Sequence, residues 1–176
     1  FPIKTDAPMS LKQLKNHTCE SLRTLFKDWG HPAFRGTQVF QWIWRSRVGK
    51  FSDMANLPPK LRKELEDKAE ISELELVECN LAGDGTRKLL VGLPDGERVE
   101  SVLIPDNDRR TLCVSTQVGC AMACRFCRTA TMGLKRHLEA WEIVDQILLA
   151  EKILTATGDG REISGGRRQR SKVARR

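Results

Sequence analysis

The feature that most constrains this chain is a set of three cysteines, Cys120, Cys124 and Cys127, separated by three and then two residues. This spacing allows one short loop to place three thiolates on one face of an iron–sulfur cube, so that the fourth iron has no protein ligand. Electron-carrying clusters ordinarily use four cysteines, and an iron with an open position can bind a further molecule. The spacing therefore predicts a reactive cluster on a loop.

Zinc binding is the alternative interpretation of the same cysteines. Zinc accepts sets of three cysteines and one histidine readily, and either His137 or Cys113 could complete such a set. Zinc ribbons, however, usually contribute their ligands as two separated pairs, and this chain has one triplet with no second pair. Three unrelated structural cysteines, the remaining alternative, rarely fall so close together. The spacing thus favours the cluster.

Length and composition bound the class of protein. The 176 residues, 40% of them hydrophobic, suffice for one domain, or a domain and a further piece, with a modest core. No run approaches the roughly 18 to 20 apolar residues of a membrane span, so we expect no membrane partner. Because disulfides would remove the cluster ligands, we expect a reducing compartment, the cytoplasm. We also expect a monomer. The chain begins with Phe1, which leaves a removed targeting peptide and an organelle open.

The positive charge is unevenly distributed. Of the 30 Lys and Arg residues behind the net charge of +7, seven fall within residues 161–176, beside a single glutamate. This end has no apolar periodicity, and we expect a disordered basic tail over residues 158–176. Residues 1–63 hold twelve basic and four acidic residues. A basic N-terminal module is compatible with phosphate binding, and a solvated helical surface is the alternative.

The spacing of apolar residues predicts a small helical module over residues 1–72. Its helices are expected at residues 10–29, capped by Ser10 and ended by Gly30, at residues 38–47, capped by Thr37, and at residues 60–70, opened by Pro59. Trp42 and Trp44 could stack on bases, but aromatic residues at helical spacing usually belong to a core.

After this module the periodicity becomes alternating, which predicts strands at residues 74–80, 86–93 and 97–104, the last two as a hairpin. A strand at 111–116 then leads into the cysteine loop. An amphipathic helix at 139–154 follows, with the apolar positions Ile143, Val144, Ile147, Leu148 and Leu154. Strand, loop and helix form a βα unit, and in α/β barrels the functional groups lie on loops at the carboxyl ends of strands.

Three stretches resemble one family of enzymes. Residues 110–120, which read Arg-Thr-Leu-Cys-Val-Ser-Thr-Gln-Val-Gly-Cys, and the segments 34–44 and 51–58 resemble RlmN-type radical S-adenosylmethionine methyltransferases. The aromatic residue just before the last loop cysteine fits the same superfamily. The resemblance covers about residues 10–164. It implies an enzyme that methylates carbon 2 of an adenine in 23S ribosomal RNA and in some transfer RNAs through a methylated-cysteine intermediate.

The resemblance also implies an architecture of mixed α+β and α/β class. It consists of an RNA-binding helical module at residues 1–72, a short antiparallel β-hairpin extension at 73–108, the first βα unit of a partial radical-SAM (β/α) barrel at 109–157, and the basic tail.

Roles for individual residues follow from the resemblance too. The ligands of a [4Fe-4S] cluster would be Cys120, Cys124 and Cys127, with S-adenosylmethionine bound at the open iron. Phe126 would lie near the adenine of S-adenosylmethionine, Glu100 would accept a proton, and Cys113 would help to resolve a covalent enzyme–RNA intermediate. Judged by the residues alone, Cys113 also fits an inert strand cysteine and Glu100 a surface carboxylate.

The chain departs from the family after Ser164. The family continues with a Gly-Glu-Pro segment that contacts S-adenosylmethionine and with a late cysteine that carries the methyl group, and neither follows here. We therefore expect an N-terminal part, truncated or altered in reading frame after Ser164 and inactive by itself. A related branch that methylates carbon 8 shares the loop. A non-catalytic RNA-binding protein with a cluster or zinc is the alternative of another class.

Overall fold

A computed structural model describes residues 11–106, 109–122 and 124–157; the predicted tail at 158–176 and the predicted cap Ser10 lie outside these ranges. The helices are α1 (Cys19–Asp28), α2 (Ala33–Trp44), α3 (Pro59–Lys68) and α4 (Ala140–Ala156). The strands are β1 (Lys12–Gln13), β2 (Ala69–Glu70), β3 (Glu75–Leu81), β4 (Arg87–Gly92), β5 (Arg98–Asp106), β6 (Arg109–Cys113), β7 (Gln117–Gly119) and β8 (Leu134–His137).

The first predicted helix is correct only in its second half. Helix α1 begins at Cys19, where the Thr18 side chain accepts a hydrogen bond from the backbone N–H of Ser21 at 3.2 Å. The residues before it form β1, which pairs in parallel with β2, and a 3₁₀ turn at Leu14–Asn16. Sequence periodicity cannot reveal this pairing, because β2 lies far from β1 along the chain. Gly30, at φ 81°, follows the end of α1 as predicted.

Helix α2 begins five residues before the predicted start, so Thr37 lies inside the helix and does not cap it. Pro32 holds the extended N-cap position instead. Gly36 allows α2 to pack closely on α1, since a Cβ at this position would lie 2.6 Å from the carbonyl oxygen of Leu22. The module core is formed by Leu14, Leu22, Leu25, Phe26, Val39, Ile43, Phe51, Met54, Leu57, Leu61, Leu65, Ala69 and Ile71.

The strands β3, β4, β5 and β6 form one antiparallel sheet in that order. The three predicted strands at 74–104 are confirmed to within two residues. The prediction that the strand at 111–116 leads directly into the cysteine loop is wrong, because β6 ends at Cys113 as the sheet's edge and a separate strand, β7, precedes the loop. β7 pairs antiparallel with β8. No described strand lies parallel to β7, so the barrel stays a prediction.

Helix α4 packs on one face of this sheet and confirms the last predicted helix. Its first turn carries a capping box between Glu139 and Glu142. The predicted apolar face is wrong in part, since Val144 is 36% exposed and Ile147 is 42% exposed. The buried residues of α4 are Trp141, Glu142, Asp145, Gln146, Ala150 and Leu154. Three of these are polar and all three have hydrogen-bond partners, which a hydrophobicity pattern cannot anticipate.

A buried ion pair joins the helical module to α4. The ammonium group of Lys15 lies 2.6 Å from one carboxylate oxygen of Asp145, and both side chains are almost fully buried. The other carboxylate oxygen accepts a hydrogen bond from the backbone N–H of Leu74 at 2.7 Å, just before the sheet begins. Asp145 therefore fixes the module, the sheet and α4 together. None of the described helices is long and apolar enough to span a membrane.

Candidate cluster loop and the open face of the sheet

The three cysteines lie in the connection between β7 and β8, so the candidate loop is held at its base by a two-stranded hairpin. Gly119, the last residue of β7, has φ 74°. A Cβ at Gly119 would lie 1.7 Å from the carbonyl oxygen of Gly133, and the backbone N–H of Cys120 donates to that same oxygen at 3.1 Å. The two ends of the loop thus approach so closely that only glycine fits at position 119.

The thiols of this loop are half-buried and all six cysteines of the chain are unpaired. Backbone N–H groups of Ala130 and Thr129 donate to Cys127, with a smaller contribution from the Thr129 side chain, and they hold the pKa of the Cys127 thiol below its ordinary value. The Sγ of Cys120 accepts a weak hydrogen bond from the backbone N–H of Met122 at 3.5 Å. Thiolates are the form in which cysteine binds metals, so the loop favours the state that a ligand needs.

The described residues contain no group of three or more His, Cys, Asp or Glu side chains already arranged to hold a metal ion. The two residues that could complete a zinc set do not form such a group with the loop cysteines. His137 lies on β8, and Cys113 lies on the edge of the other sheet. The donors themselves fit an iron–sulfur cluster, since three free thiols share one accessible loop. Binding would have to turn these side chains toward a common centre.

Among the large apolar side chains of the loop that the structure describes, Phe126 is the most exposed, with 94% of its surface accessible, and Met122 follows with 76%. Exposed apolar side chains this close to the predicted ligands match a surface that a bound molecule would cover. In the sequence Phe126 lies immediately before the third cysteine of the triplet. Its contact with adenine stays a prediction.

Glu100 and Cys113 lie on the same face of the four-stranded sheet. Cys113 pairs with Val102, and Glu100 precedes Val102 by two residues on β5, so all three share one side of the pleat. Diagonal neighbours of this kind are separated by about 7–8 Å. The face is the one turned away from α4. The sheet therefore brings together two residues that sequence reasoning placed in one site.

Both residues are accessible on this open face. The Glu100 carboxylate is 54% exposed and accepts a hydrogen bond from the ammonium group of Lys88 at 3.0 Å. Cys113 is exposed and free. In addition, the Ser115 hydroxyl donates to the backbone carbonyl of Glu100 at 2.7 Å, which connects β5 to the segment leading into the loop. A substrate could therefore reach a carboxylate and a thiol from the same side.

Arg136 is a structural anchor of the site that sequence reasoning missed. On β8, its guanidinium contacts Asp95 at 2.6 Å and both carboxylate oxygens of Glu142 at 2.7 and 2.8 Å. The hydrogen bonds that Arg136 donates to Glu142, and then to Asp95, raise its pKa. Arg136 thereby ties the strand that closes the loop to α4 and to the turn between β4 and β5. No sequence signal marks it, because both partners are identified only by the fold.

Comparisons with known proteins agree with these features. Residues 12–71 match the family model described as the ribosomal RNA large subunit methyltransferase N-terminal domain, RlmN_N. The chain is 51% identical over 139 residues to the dual-specificity RNA methyltransferase RlmN of Pelobacter propionicus, covering 79% of this chain and 40% of that protein. It is 46% identical over 144 residues to a probable RlmN of Akkermansia muciniphila, covering 77% of this chain and 40% of that protein.

A solved structure has a similar fold. The crystal structure of a radical SAM methyltransferase from Sphaerobacter thermophilus matches with a TM-score of 0.73 and 36% sequence identity, over 84% of this chain and 43% of that one. The chain thus spans about two fifths of the length of the relatives that it matches.

Proposed function

We propose that this chain, a relative of the RlmN methyltransferases that carries their N-terminal domain over residues 12–71, binds an iron–sulfur cluster and RNA as part of a radical S-adenosylmethionine methyltransferase. The observation that carries the proposal is the cysteine triplet on a hairpin loop whose base admits only glycine at position 119. The relatedness to proteins named as RNA methyltransferases supports it.

The proposed cluster ligands are Cys120, Cys124 and Cys127. Bound there with S-adenosylmethionine, a [4Fe-4S] cluster supplies the one-electron reduction that radical chemistry on an unactivated carbon requires. The β7–β8 hairpin positions the three thiols, and hydrogen bonds to Cys127 favour its thiolate. Phe126 is proposed to cover the adenine of S-adenosylmethionine, since its ring is accessible beside the ligands.

Glu100 and Cys113 are proposed to act on the RNA from the open face of the sheet. Glu100 would accept a proton, and its half-exposed carboxylate can be reached by a substrate from this face. Cys113 would provide a thiol to the covalent enzyme–RNA intermediate. Their shared face supports the assignment, because both groups must reach the same adenine.

The proposed substrate is an adenine of 23S ribosomal RNA and of some transfer RNAs, methylated at carbon 2. The basic helical module at residues 1–72 would bind the phosphate backbone, with the β extension at 73–108 and the loop region at 109–157 carrying the chemistry. Methylation at carbon 8 is the competing assignment, as it uses the same loop.

Anaerobic reconstitution with iron and sulfide tests this proposal. We expect a brown protein with broad visible absorption that changes when S-adenosylmethionine is added, because the open iron would bind it. The matched control is 5′-methylthioadenosine, which keeps the nucleoside but lacks the amino and carboxylate groups that would bind the iron. Uptake of one zinc per chain without colour, or a cluster spectrum that does not respond to S-adenosylmethionine, would contradict the proposal.

A further inference from the structure

Gln146 is a fully buried glutamine on α4, the helix that follows the cluster loop. Its side-chain oxygen accepts hydrogen bonds from the Ser101 hydroxyl at 2.7 Å and from the backbone N–H of Ser115 at 2.9 Å. Its side-chain nitrogen donates to the carbonyl of Ser115 at 2.9 Å and to that of Glu142 at 3.1 Å. A carboxamide has two acceptor and two donor positions, so all four are used.

Ser115 lies in the break between β6 and β7, where neither sheet supplies it with a strand partner. The Gln146 amide binds both the N–H and the C=O of Ser115, as the peptide group of an adjacent strand would. The Ser115 hydroxyl in turn donates to the Glu100 carbonyl. The segment between the two strands is therefore fixed through its backbone by α4 and through its side chain by β5.

The residues proposed to perform the chemistry lie around this fixed point. Glu100 immediately precedes Ser101, whose hydroxyl Gln146 binds. Cys113 precedes Ser115 by two residues, and Cys120 follows it by five. One side chain thus fixes two places along the chain, Ser101 and Ser115. Their separation must be kept if the base, the thiol and the cluster near them are to serve one substrate.

We propose that Gln146 is a positioning residue that sets Glu100 and Cys113 relative to the start of the cluster loop. The roles of Glu100 and Cys113 rest on the function proposed above. The hydrogen bonds of Gln146 do not depend on that function. Gln146 contacts no reacting group in this arrangement and acts through Ser101 and Ser115. Its location on α4 is suited to this role, because a capped helix of 17 residues is a stiff support.

Substitution of Gln146 by Met tests the positioning, since Met is similar in length and forms none of the four hydrogen bonds. The measurement is amide hydrogen exchange of residues 114–119 in the cluster-free chain. We expect protection of the Ser115 amide to fall by about tenfold or more. The matched control is Lys152→Met on the same helix, which breaks only a surface pair with Glu73 and should leave exchange at Ser115 unchanged.

Gln146→Glu separates hydrogen bonding from packing. When protonated, the carboxyl group can both accept and donate at Ser115, and when ionised it cannot donate. Protection in this variant should therefore rise toward the wild-type value as the pH falls, while Gln146→Met stays low at every pH. The neighbouring titratable groups, Glu142 and Asp145, each retain their cation in both variants. Identical exchange in the two variants at all pH values would show that only packing matters and would overturn the proposal.

Labelling of Cys113 by iodoacetamide, followed by peptide mass spectrometry, gives the readout at the site. We expect the rate at Cys113 to change several-fold in Gln146→Met, whereas Cys79, exposed on β3, keeps its rate. Unchanged labelling of Cys113, or unchanged exchange at Ser115, would overturn the positioning role. Iron uptake by the wild type is a separate result: its absence contradicts the proposed function, while exchange and labelling still decide the role of Gln146.

Discussion

Gly119 lies at a position where the fold leaves no room for a side chain. Substitution by Ala adds a Cβ that would lie 1.7 Å from the Gly133 carbonyl oxygen and forces φ 74° on a residue that disfavours it. We expect Gly119→Ala to lower the free energy of unfolding by about 2–4 kcal/mol and to prevent cluster assembly, because the base of the loop must open. Urea unfolding and iron analysis after reconstitution measure both effects.

Gly96→Ala is the control for this substitution. Gly96 has a similar φ of 84°, but nothing lies within 4 Å of its added Cβ. Only the backbone strain of about 1–2 kcal/mol should appear, with full iron uptake. Equal losses in the two variants would mean that conformational strain, and not the close approach of Gly133, determines the requirement at position 119.

At the scale of residues, the sequence can indicate functional residues whose partners are close to them along the chain. The candidate cluster cysteines could be proposed because ligand spacing within one loop is a property of adjacent residues. Gln146 and Arg136 could not be found, because their partners lie 31 to 45 residues away for the first and up to 41 for the second. Only the folded sheet reveals what these side chains hold.

At the scale of elements, Arg136 couples β8 to the β4–β5 turn. The Arg136 guanidinium, and after it the Glu97 N–H, keep the pKa of Asp95 below its ordinary value. The stabilisation is therefore present above the unfolded pKa, about 4, and is lost as the pH falls through the lower folded value. Asp95 is partly exposed, so the pair contributes less than about 1 kcal/mol.

Asp95→Asn should accordingly be slightly less stable than the wild type at pH 7, and the difference should shrink as the pH falls below about 4. Urea unfolding of both proteins across this range measures the difference directly, so that other carboxyl groups cancel. A difference that remains constant down to pH 3 would show that the charge of Asp95 contributes nothing.

The elements that the sequence predicted well are bounded by local sequence signals, namely proline at a helix start and glycine in turns. Helix α3 begins at Pro59, and the two hairpin turns contain Gly85 and Gly96 at positive φ. The errors occur where distant residues decide the outcome. The predicted start of the first helix is wrong because those residues pair as β1 with β2. The predicted strand at 111–116 is interrupted at Ser115, where the Gln146 side chain takes the place of a neighbouring strand.

At the scale of the whole molecule, the buried pair of Lys15 and Asp145 determines how the helical module sits on the rest of the chain. Lys15→Met leaves the Asp145 carboxylate buried without its cation, so we expect a loss of about 3–5 kcal/mol in the free energy of unfolding. The control is Lys152→Met, which breaks a surface pair with Glu73 and should cost less than about 1 kcal/mol. Similar losses in urea unfolding would contradict the view that the module docks through the buried pair.

The most direct test of the account is the iron content of single cysteine variants after anaerobic reconstitution. We expect about four irons per chain in the wild type and in Cys79→Ala, whose thiol lies on β3 outside the loop, and essentially none in Cys124→Ala. Full iron content in Cys124→Ala, or none in the wild type, would contradict the claim that three thiols of this loop hold a cluster.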